Sequence, residues 1–400
     1  MKVTLEQSDI AILIRLVDQE IDRTDKAKEE GGVRNPFYFY RLLNIPDKLQ
    51  ASHAFPQKGV KPDCNCQIQK IRVVQFGCGS IGCSIAKLAS QKPNIDIVGA
   101  IDLVNVGLDL GEVANINRKL GVFISKDADS VLHQTKPDIV LHATGSYLKD
   151  IYPQLESVIK AGINIVSTCE ELSYPYLQHP EFAAAIDKLA KEYQVTVLAT
   201  GVNPGFLMDI WPLFMTGVCQ QVERIKALRI QDASPRRLLF QEKIGAGKTI
   251  EEFNTLVEAR TLRHVGLAES IAMIAAGLGW KLDDITETIE PVIAKSEVRS
   301  NFTTVKPGQV AGVRQTGYGW KDGKELITLD FQAYIGAEES YDAVSITGVP
   351  NMEVIIKGGT PGDLATAAMV VNLIPRVIKA PSGLTTMKDL PPVICLRTDT

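Results

Sequence analysis

The sequence predicts an α/β fold: a doubly wound parallel sheet, a second α+β domain with a mixed or antiparallel sheet, and a helical extension in front. Three observations carry this. The run IRVVQF, residues 71–76, leads directly into Gly77-x-Gly79-x-x-Gly82 and an amphipathic helix start. A second apolar strand, 95–101, ends in Asp102, 20 residues after Gly82. Strand and helix periodicities then alternate to residue 199, and beyond Gly201 the pattern becomes strand-rich. The expected segments are a helical extension and linker over 1–69, a dinucleotide-binding Rossmann-type domain over 70–205, a substrate and oligomerisation domain over 206–360, and a C-terminal helix and tail over 361–400.

The glycine turn has a physical reading at each position. Gly77 permits the tight strand-to-helix turn, Gly79 lets backbone approach a pyrophosphate, and Gly82 lets the helix pack closely. Ser80 and Ile81 open the helix, whose free N–H groups face the phosphates. Asp102 stands where a carboxylate bonds the adenosine ribose hydroxyls. The competing reading, an ordinary glycine-rich βα turn, leaves Asp102 unexplained. Asp102 repels a 2′-phosphate, and no Arg or Lys follows it in residues 103–107, so NAD is expected ahead of NADP within an NAD(P) site.

A length of 400 residues implies two or three domains, and 45% hydrophobic with 22% charged residues describes a globular chain. The net charge of −4 gives no electrostatic reason for nucleic acid or an anionic membrane as partner. No apolar run approaches a membrane span, and acids interrupt the N-terminal pattern, so no signal peptide is expected. Seven scattered cysteines do not form a disulfide framework, which points to a reducing, cytoplasmic compartment. Cys64-x-Cys66 lacks a second pair or nearby histidines, and no metal is expected there.

In the extension, Ile10, Leu13, Leu16, Val17 and Ile21 recur at helical spacing, and a second helix is expected between Phe37 and Leu49. Pro56 to Gln67 has linker composition. Strands are expected near 71–76, 95–101, 121–124, 137–143, 163–168 and 194–199. Helices are expected near 80–91, 126–135, 147–161 and 180–193. The strand at 139–141 ends in His142-Ala-Thr144-Gly145-Ser146. Ligands of such sheets bind outside the carboxyl ends of strands, so Thr144, Gly145 and Ser146 are expected to touch cofactor. Further on, Val222–Ile230, Gln309–Thr316, Glu325–Tyr334, Asp342–Thr347 and Met352–Ile356 read as strands. Lys321-Asp322-Gly323 marks a hairpin. Leu267–Leu278 reads as a helix, and Thr360-Pro-Gly-Asp363 starts a long apolar one through Val377, expected to return to the first domain.

Hydride exchange with a nicotinamide needs a proton donor or acceptor beside it. Cys169, Glu170 and Glu171 follow the strand 164–168 at the sheet's rim. A partly buried Glu there can titrate near neutrality. The alternative is that the two acids are only the negative first turn of a helix. Asn203, in Val-Asn-Pro-Gly, is placed to bond a nicotinamide carboxamide or simply to form a domain crossover. His264 on position alone reads as a surface or satisfied core histidine. Gly245-Ala-Gly-Lys-Thr249 has Glu242 where a phosphate loop needs glycine, which argues against NTP binding.

Taken together, FGCGSIG (76–82), STCEELSYP (167–175), TGVNPGFLMD (200–209), RIQDASPRR (229–237), FQEKIGAG (240–247) and RHVGLAES (263–270) resemble the 2,4-diaminopentanoate dehydrogenases and native amine dehydrogenases, within the dihydrodipicolinate-reductase-like group. The resemblance runs from about Ile71 to Pro392 and does not cover the extension. It implies NAD(P)-dependent oxidative deamination of an amine or diamino acid to a ketone and ammonia, or the reverse. Carried over, Glu170 or Glu171 is the acid/base, with Glu170 favoured because it comes first off the strand. Asn203 falls at the nicotinamide, His264 on the substrate wall, and Arg229, Gln241 and Lys243 at polar substrate contacts. A homodimer is the family expectation. The chain lacks the paired histidines of dihydrodipicolinate reductases and the lysine that homoserine dehydrogenases place at Glu170. Two other readings stay open at this stage: an oxidoreductase of a carbonyl or cyclic imine, and a non-enzymatic dinucleotide sensor.

Overall fold

The apolar run Ile71–Phe76 forms β1, and Gly77 turns the chain into helix α1, Ser80–Ala89. The computed structural model describes residues 70–397. The expected extension helices, the linker and Cys64-x-Cys66 lie outside the described residues. The chain continues through β2 (Ile95–Ile101), α2 (Leu110–Val113), β3 (Ile124–Ser125), α3 (Ala128–Thr135), β4 (Ile139–His142) and α4 (Leu148–Lys160). Next come β5 (Asn164–Ser167), α5 (Pro180–Glu192) and β6 (Thr196–Ala199). Apart from the one-turn α2, which was not expected, these are the predicted strands and helices, with ends moved by a few residues.

Residue period two makes the sheet bury both faces. Val74, Val140, Ile165 and Val197 point to one side and pack with Leu148, Ile151, Leu155 and Val158 of α4 and Ile186 of α5. Val73, Ile139, Val166 and Leu198 point to the other and meet Ile85 of α1. That second face also carries α10, Gly362–Val377, through Val370, Val371, Leu373 and Ile374. The long apolar helix therefore returns to the first sheet, as the sequence predicts. Each such aliphatic side chain contributes roughly 1.5–3 kcal/mol by leaving water.

With β15 (Gly383–Thr385) at one edge, the strand order is β15-β6-β5-β4-β1-β2-β3, and every pairing is parallel. The seventh strand, β15, was not expected from sequence. From β1 the chain first adds strands on one side and then on the other. The order reverses between β1 and β4, and the loops after these two strands leave an opening at their carboxyl ends.

The second sheet has the order β14-β13-β7-β12-β11-β8. Its strands are β7 (Gln221–Asp232), β8 (Asp284–Ile293), β11 (Val310–Lys321), β12 (Lys324–Tyr334), β13 (Tyr341–Val349) and β14 (Met352–Lys357). The short strands β9 (Val298–Arg299) and β10 (Thr304–Val305) pair apart from it. Only β12 and β7 run parallel, so the sheet is mixed. Asp322 and Gly323, with φ of 50° and 71°, close the β11–β12 hairpin as a two-residue turn of that kind requires. Helices α6 (Ile210–Met215) and α9 (Leu267–Gly277) cover one face with Trp211, Leu267, Ile271 and Ile274. Between β7 and α9 lie α7 (Leu238–Lys243) and α8 (Ile250–Glu258). Thr249 caps α8, its Oγ1 accepting from Glu252 N–H at 3.2 Å while Glu252 Oε2 accepts from Thr249 N–H at 2.8 Å. No described helix is long and apolar enough to cross a membrane.

Candidate active site

A cleft of about 460 Å³ opens where the carboxyl ends of β1, β4 and β5 meet β7, β12, α7 and the start of α10. Gly79, Ser80 and Ile81 line it from the glycine turn, and Thr144, Gly145 and Ser146 from the loop after β4. Glu170, Asn203, His264, Lys243 and Arg229 complete the predicted set that borders it. A larger hollow of about 940 Å³ lies between α3 and α4, beside Pro137 and Ile163. Those residues precede β4 and β5, so it sits at the amino ends of the strands, where this architecture places no ligand.

The turn accounts for its glycines by contact. A Cβ on Gly82 would stand 1.8 Å from Gly77 O, so the helix start admits no side chain there. A Cβ on Gly79 would meet nothing within 4 Å, which marks the open side of the turn. That open side is where a dinucleotide phosphate fits, among the free N–H groups of α1. Asp102 lies at the other end of the turn, outside the cleft lining. Its Oδ1 accepts from Val104 N–H at 2.8 Å and its Oδ2 from Cys78 N–H. A second hollow beside it, lined by Gly79, Ser80 and Asn105, continues the site toward β2.

Three chain segments converge on Glu170. Gly266 has φ of 109°, and a Cβ there would lie 2.6 Å from Pro204 Cδ and 3.3 Å from Glu170 Cβ. The missing side chain lets α9, the Asn203-Pro204 turn and the Glu170 loop meet. Burial pushes the Glu170 carboxyl above the usual carboxylate range, while Lys243, its own backbone N–H and the Ser146 hydroxyl oppose the rise. His264 stacks on Phe331 with ring centroids 4.6 Å apart. Its pKa falls to about 3, chiefly through burial and then through Lys243, Arg229 and Arg263. Asn203 Nδ2 donates to His264 Nε2 at 2.9 Å, which leaves the proton of the neutral ring on Nδ1. Asn203 Oδ1 is buried without a partner, an acceptor that suits a carboxamide N–H of a nicotinamide.

Three further predicted contacts, Glu171, Cys169 and Gln241, do not border the cleft. Glu171 does not border the cleft: Oε2 accepts from Leu148 N–H at the start of α4 at 2.7 Å and lies 3.0 Å from His179 Nε2. The two acids are parted because the 3-10 turn Glu171–Ser173 begins between them. Cys169 is buried, its Sγ donating to Ser146 O at 3.2 Å. Gln241 is buried too, donating to Ala233 O at 3.1 Å and Arg236 O at 2.9 Å and accepting from Ser300 Oγ at 2.8 Å. It fixes the loop before α7 instead of meeting a ligand. Arg229 borders the cleft, but its guanidinium is spent on Asp342 Oδ1 and Thr360 O, both at 2.8 Å. Sequence reasoning missed Arg236, Arg237, Phe240 and Phe331, which also line the cleft. The Arg236-Arg237 doublet was the available signal, since adjacent cations beside a strand end seek an anion.

Comparison with known proteins follows the same outline. Residues 206–400 match the 2,4-diaminopentanoate dehydrogenase C-terminal domain, and residues 71–195 match the dihydrodipicolinate reductase N-terminus. The 2,4-diaminopentanoate dehydrogenase of Acetoanaerobium sticklandii is 37% identical over 334 residues, covering 81% of this chain and 94% of that protein. An amine dehydrogenase of Streptomyces virginiae is 25% identical over 360 residues, 80% of this chain and 96% of that one. The solved amine dehydrogenase from Mycobacterium smegmatis shares 28% identity and a TM-score of 0.72, over 81% of this chain and 97% of its own. Identity at this level across almost the full length of a curated relative fixes the kinship: the chain belongs to the 2,4-diaminopentanoate dehydrogenase family.

Proposed function

We propose that this chain is an NAD(P)-dependent amine dehydrogenase, converting an amine or diamino acid to a ketone and ammonia, and running reductive amination in reverse. The observation that carries the reading is Glu170, a partly buried carboxyl bordering the same cleft as Gly79 and Asn203. We take 70–205 as the cofactor-binding domain, 206–360 as the substrate and oligomerisation domain, and 361–400 as the returning helix and tail.

A bound nicotinamide dinucleotide supplies or accepts the hydride. Gly79, Ser80 and Ile81 hold its phosphates by backbone N–H groups, and Gly77 and Gly82 shape that turn. Thr144, Gly145 and Ser146 border it, and Asn203 Oδ1 accepts from its carboxamide. Asp102 takes the ribose hydroxyls, so NAD is preferred to NADP. Glu170 acts as the acid/base. In amination it assists ammonia addition and water loss, then its carboxylate stabilises the iminium. In deamination it activates the water that attacks the iminium. Lys243 keeps Glu170 ionisable despite burial, and neutral His264 forms a flat wall of the substrate pocket against Phe331. The cysteines among the described residues are free, which fits a cytoplasmic enzyme.

The test is NADH and NADPH oxidation with ammonia and a panel of ketones, with and without ammonia, using Glu170→Gln beside the wild type. The expected result is ammonia-dependent oxidation that the variant loses by about 10²–10⁴-fold. Oxidation that runs equally without ammonia moves the enzyme to the carbonyl or cyclic-imine reductase reading.

A further inference from the structure

Gln315 is fully buried on β11, two residues before Gly317 and so on the same sheet face, the one that α9 covers. A buried amide needs a partner for each of its polar groups. His264 N–H donates to Gln315 Oε1 at 2.7 Å, and Gln315 Nε2 donates to His264 O at 2.9 Å. The same Nε2 also donates to Glu287 Oε2 at 2.9 Å, and Arg263 Nη2 lies 3.1 Å from that oxygen. A carboxylate accepts and does not donate, so Glu287 decides which end of the Gln315 amide faces His264 N–H. One rung of the sheet then fixes the imidazole. Gln315 pairs with Phe331 of β12, which puts the two side chains on one face, and the His264 ring stacks on Phe331.

His264 passes this order on to Asn203. Its Nε2 accepts from Asn203 Nδ2 at 2.9 Å, and Met208 Sδ accepts from the same nitrogen at 3.1 Å. With both N–H groups of the Asn203 amide engaged, Oδ1 is the end left over, buried and unpartnered in a residue that borders the cleft. Gln315 itself does not border the cleft. We propose that Gln315 is a positioning residue for the cofactor: its amide clamps His264, and through His264 it holds Asn203 Oδ1 toward the nicotinamide carboxamide. Without that amide the N–H and C=O of His264 are buried and unmatched, and the segment shifts to find other partners. Asn203 then loses its fixed acceptor, and its own amide is free to turn.

This inference rests on the nicotinamide site of the dehydrogenase reading, and its test measures binding instead of turnover. Three ligands are titrated calorimetrically: NAD, its 3-acetylpyridine analogue, and ADP-ribose. The analogue has a methyl group where the carboxamide has its NH2, and ADP-ribose has no nicotinamide at all. The wild type is expected to bind NAD about 10-fold more tightly than the analogue, as one well-placed hydrogen bond allows. Gln315→Met keeps the volume and removes the amide, and the preference is expected to shrink below about 2-fold with ADP-ribose affinity unchanged. Gln315→Glu, which sets a carboxylate against His264 O and Glu287, is expected to do the same. In Asn203→Ala the preference is already lost, and adding Gln315→Met changes it no further. A preference that survives in both Gln315 variants overturns the positioning role, as does a wild type that binds the two dinucleotides equally. Loss of ADP-ribose binding in both variants overturns it too, because Gln315 then serves the fold as a whole. Absence of ammonia-dependent turnover sinks the dehydrogenase reading alone and leaves the binding result standing.

Discussion

Lys243 and burial act on the Glu170 carboxyl in opposite directions. Burial raises the Glu170 carboxyl, and Lys243 is the largest influence pulling it back. Amination needs the ionised carboxylate when the iminium forms, so kcat/KM falls as pH drops through the Glu170 pKa. Lys243→Met removes the counterweight, and the carboxyl then titrates at higher pH. The expected outcome is an acid limb of the pH–rate profile displaced toward alkaline pH, with the alkaline plateau retained. A limb that stays in place in the variant would show that Lys243 does not act on the acid/base. Spacing alone did not reveal which carboxyl of the Glu170-Glu171 pair meets the cleft. Glu171 is drawn away by the N–H of Leu148, a partner 23 residues earlier in the chain. Arg229, which borders the cleft, is held by a partner that spacing did not reveal either. Its buried acid, Asp342, lies 113 residues downstream, and only the β7–β13 pairing brings them together. Long-range partners decide whether a charged side chain is free for a ligand, and periodicity carries no trace of them.

At the scale of elements, the first sheet was legible because both of its faces are buried and its strands are separated by helices with one apolar stripe. The strand β8 was not, because its inward position 287 is a glutamate instead of an apolar residue. Glu287 is tolerated there by Arg263, whose Nη2 lies 3.1 Å from Oε2, and by Gln315 Nε2, which donates to it at 2.9 Å. Short elements such as β15 have no signal of their own and exist through pairing with β6. Helix α9 holds a buried acid as well. Burial lifts the Glu269 pKa to about 8, Glu171 and Glu287 add to the rise, and its own backbone N–H and Arg263 oppose it. The folded protein thus keeps a proton that the unfolded chain releases near the ordinary carboxylate value of 4.5. Between that value and about 8 the unfolded state binds fewer protons, so this group makes stability fall as pH rises, and below 4.5 it contributes nothing. Glu269→Gln removes the titration. Its Tm is expected to match the wild type more closely at pH 4 than at pH 9, where the variant should be the more stable. Parallel Tm curves across that range would show that Glu269 titrates normally.

For the molecule as a whole, the architecture followed from the order of elements, whereas the partner of the second sheet could not be read from them. Gly317 and Gly319 of β11 face α9, where a Cβ would meet Ile271 at 2.8 and 2.9 Å. The intervening Tyr318 therefore points to the opposite face. Register carries that face across the sheet, from Asp330 to Leu228, from Leu228 to Ala343 and from Ala343 to Ile355. Leu228, Ile230, Tyr318 and Tyr341 on it are partly exposed, and Ile355 is exposed. The same face also carries Lys226, Arg314, Asp330 and Lys357, so apolar and charged side chains alternate across it, and a two-fold contact, the commonest kind of assembly, would set each patch against its own copy. The dimer that the family leads one to expect is tested at this face. Leu228 directs its side chain away from the cleft while its neighbour Arg229 borders it, so a change at Leu228 tests assembly without touching the site. Leu228→Glu places a charge in the middle of that interface, and the expected result is a molar mass by light scattering that drops from twice the chain's 43.7 kDa to a single copy. NADH binding should persist in the monomer, because the glycine turn at Gly79–Ile81 belongs to the first sheet and Leu228 does not border the cleft. A variant that remains dimeric would move the interface to another surface, and a wild type that is monomeric would leave this sheet face without a self-partner.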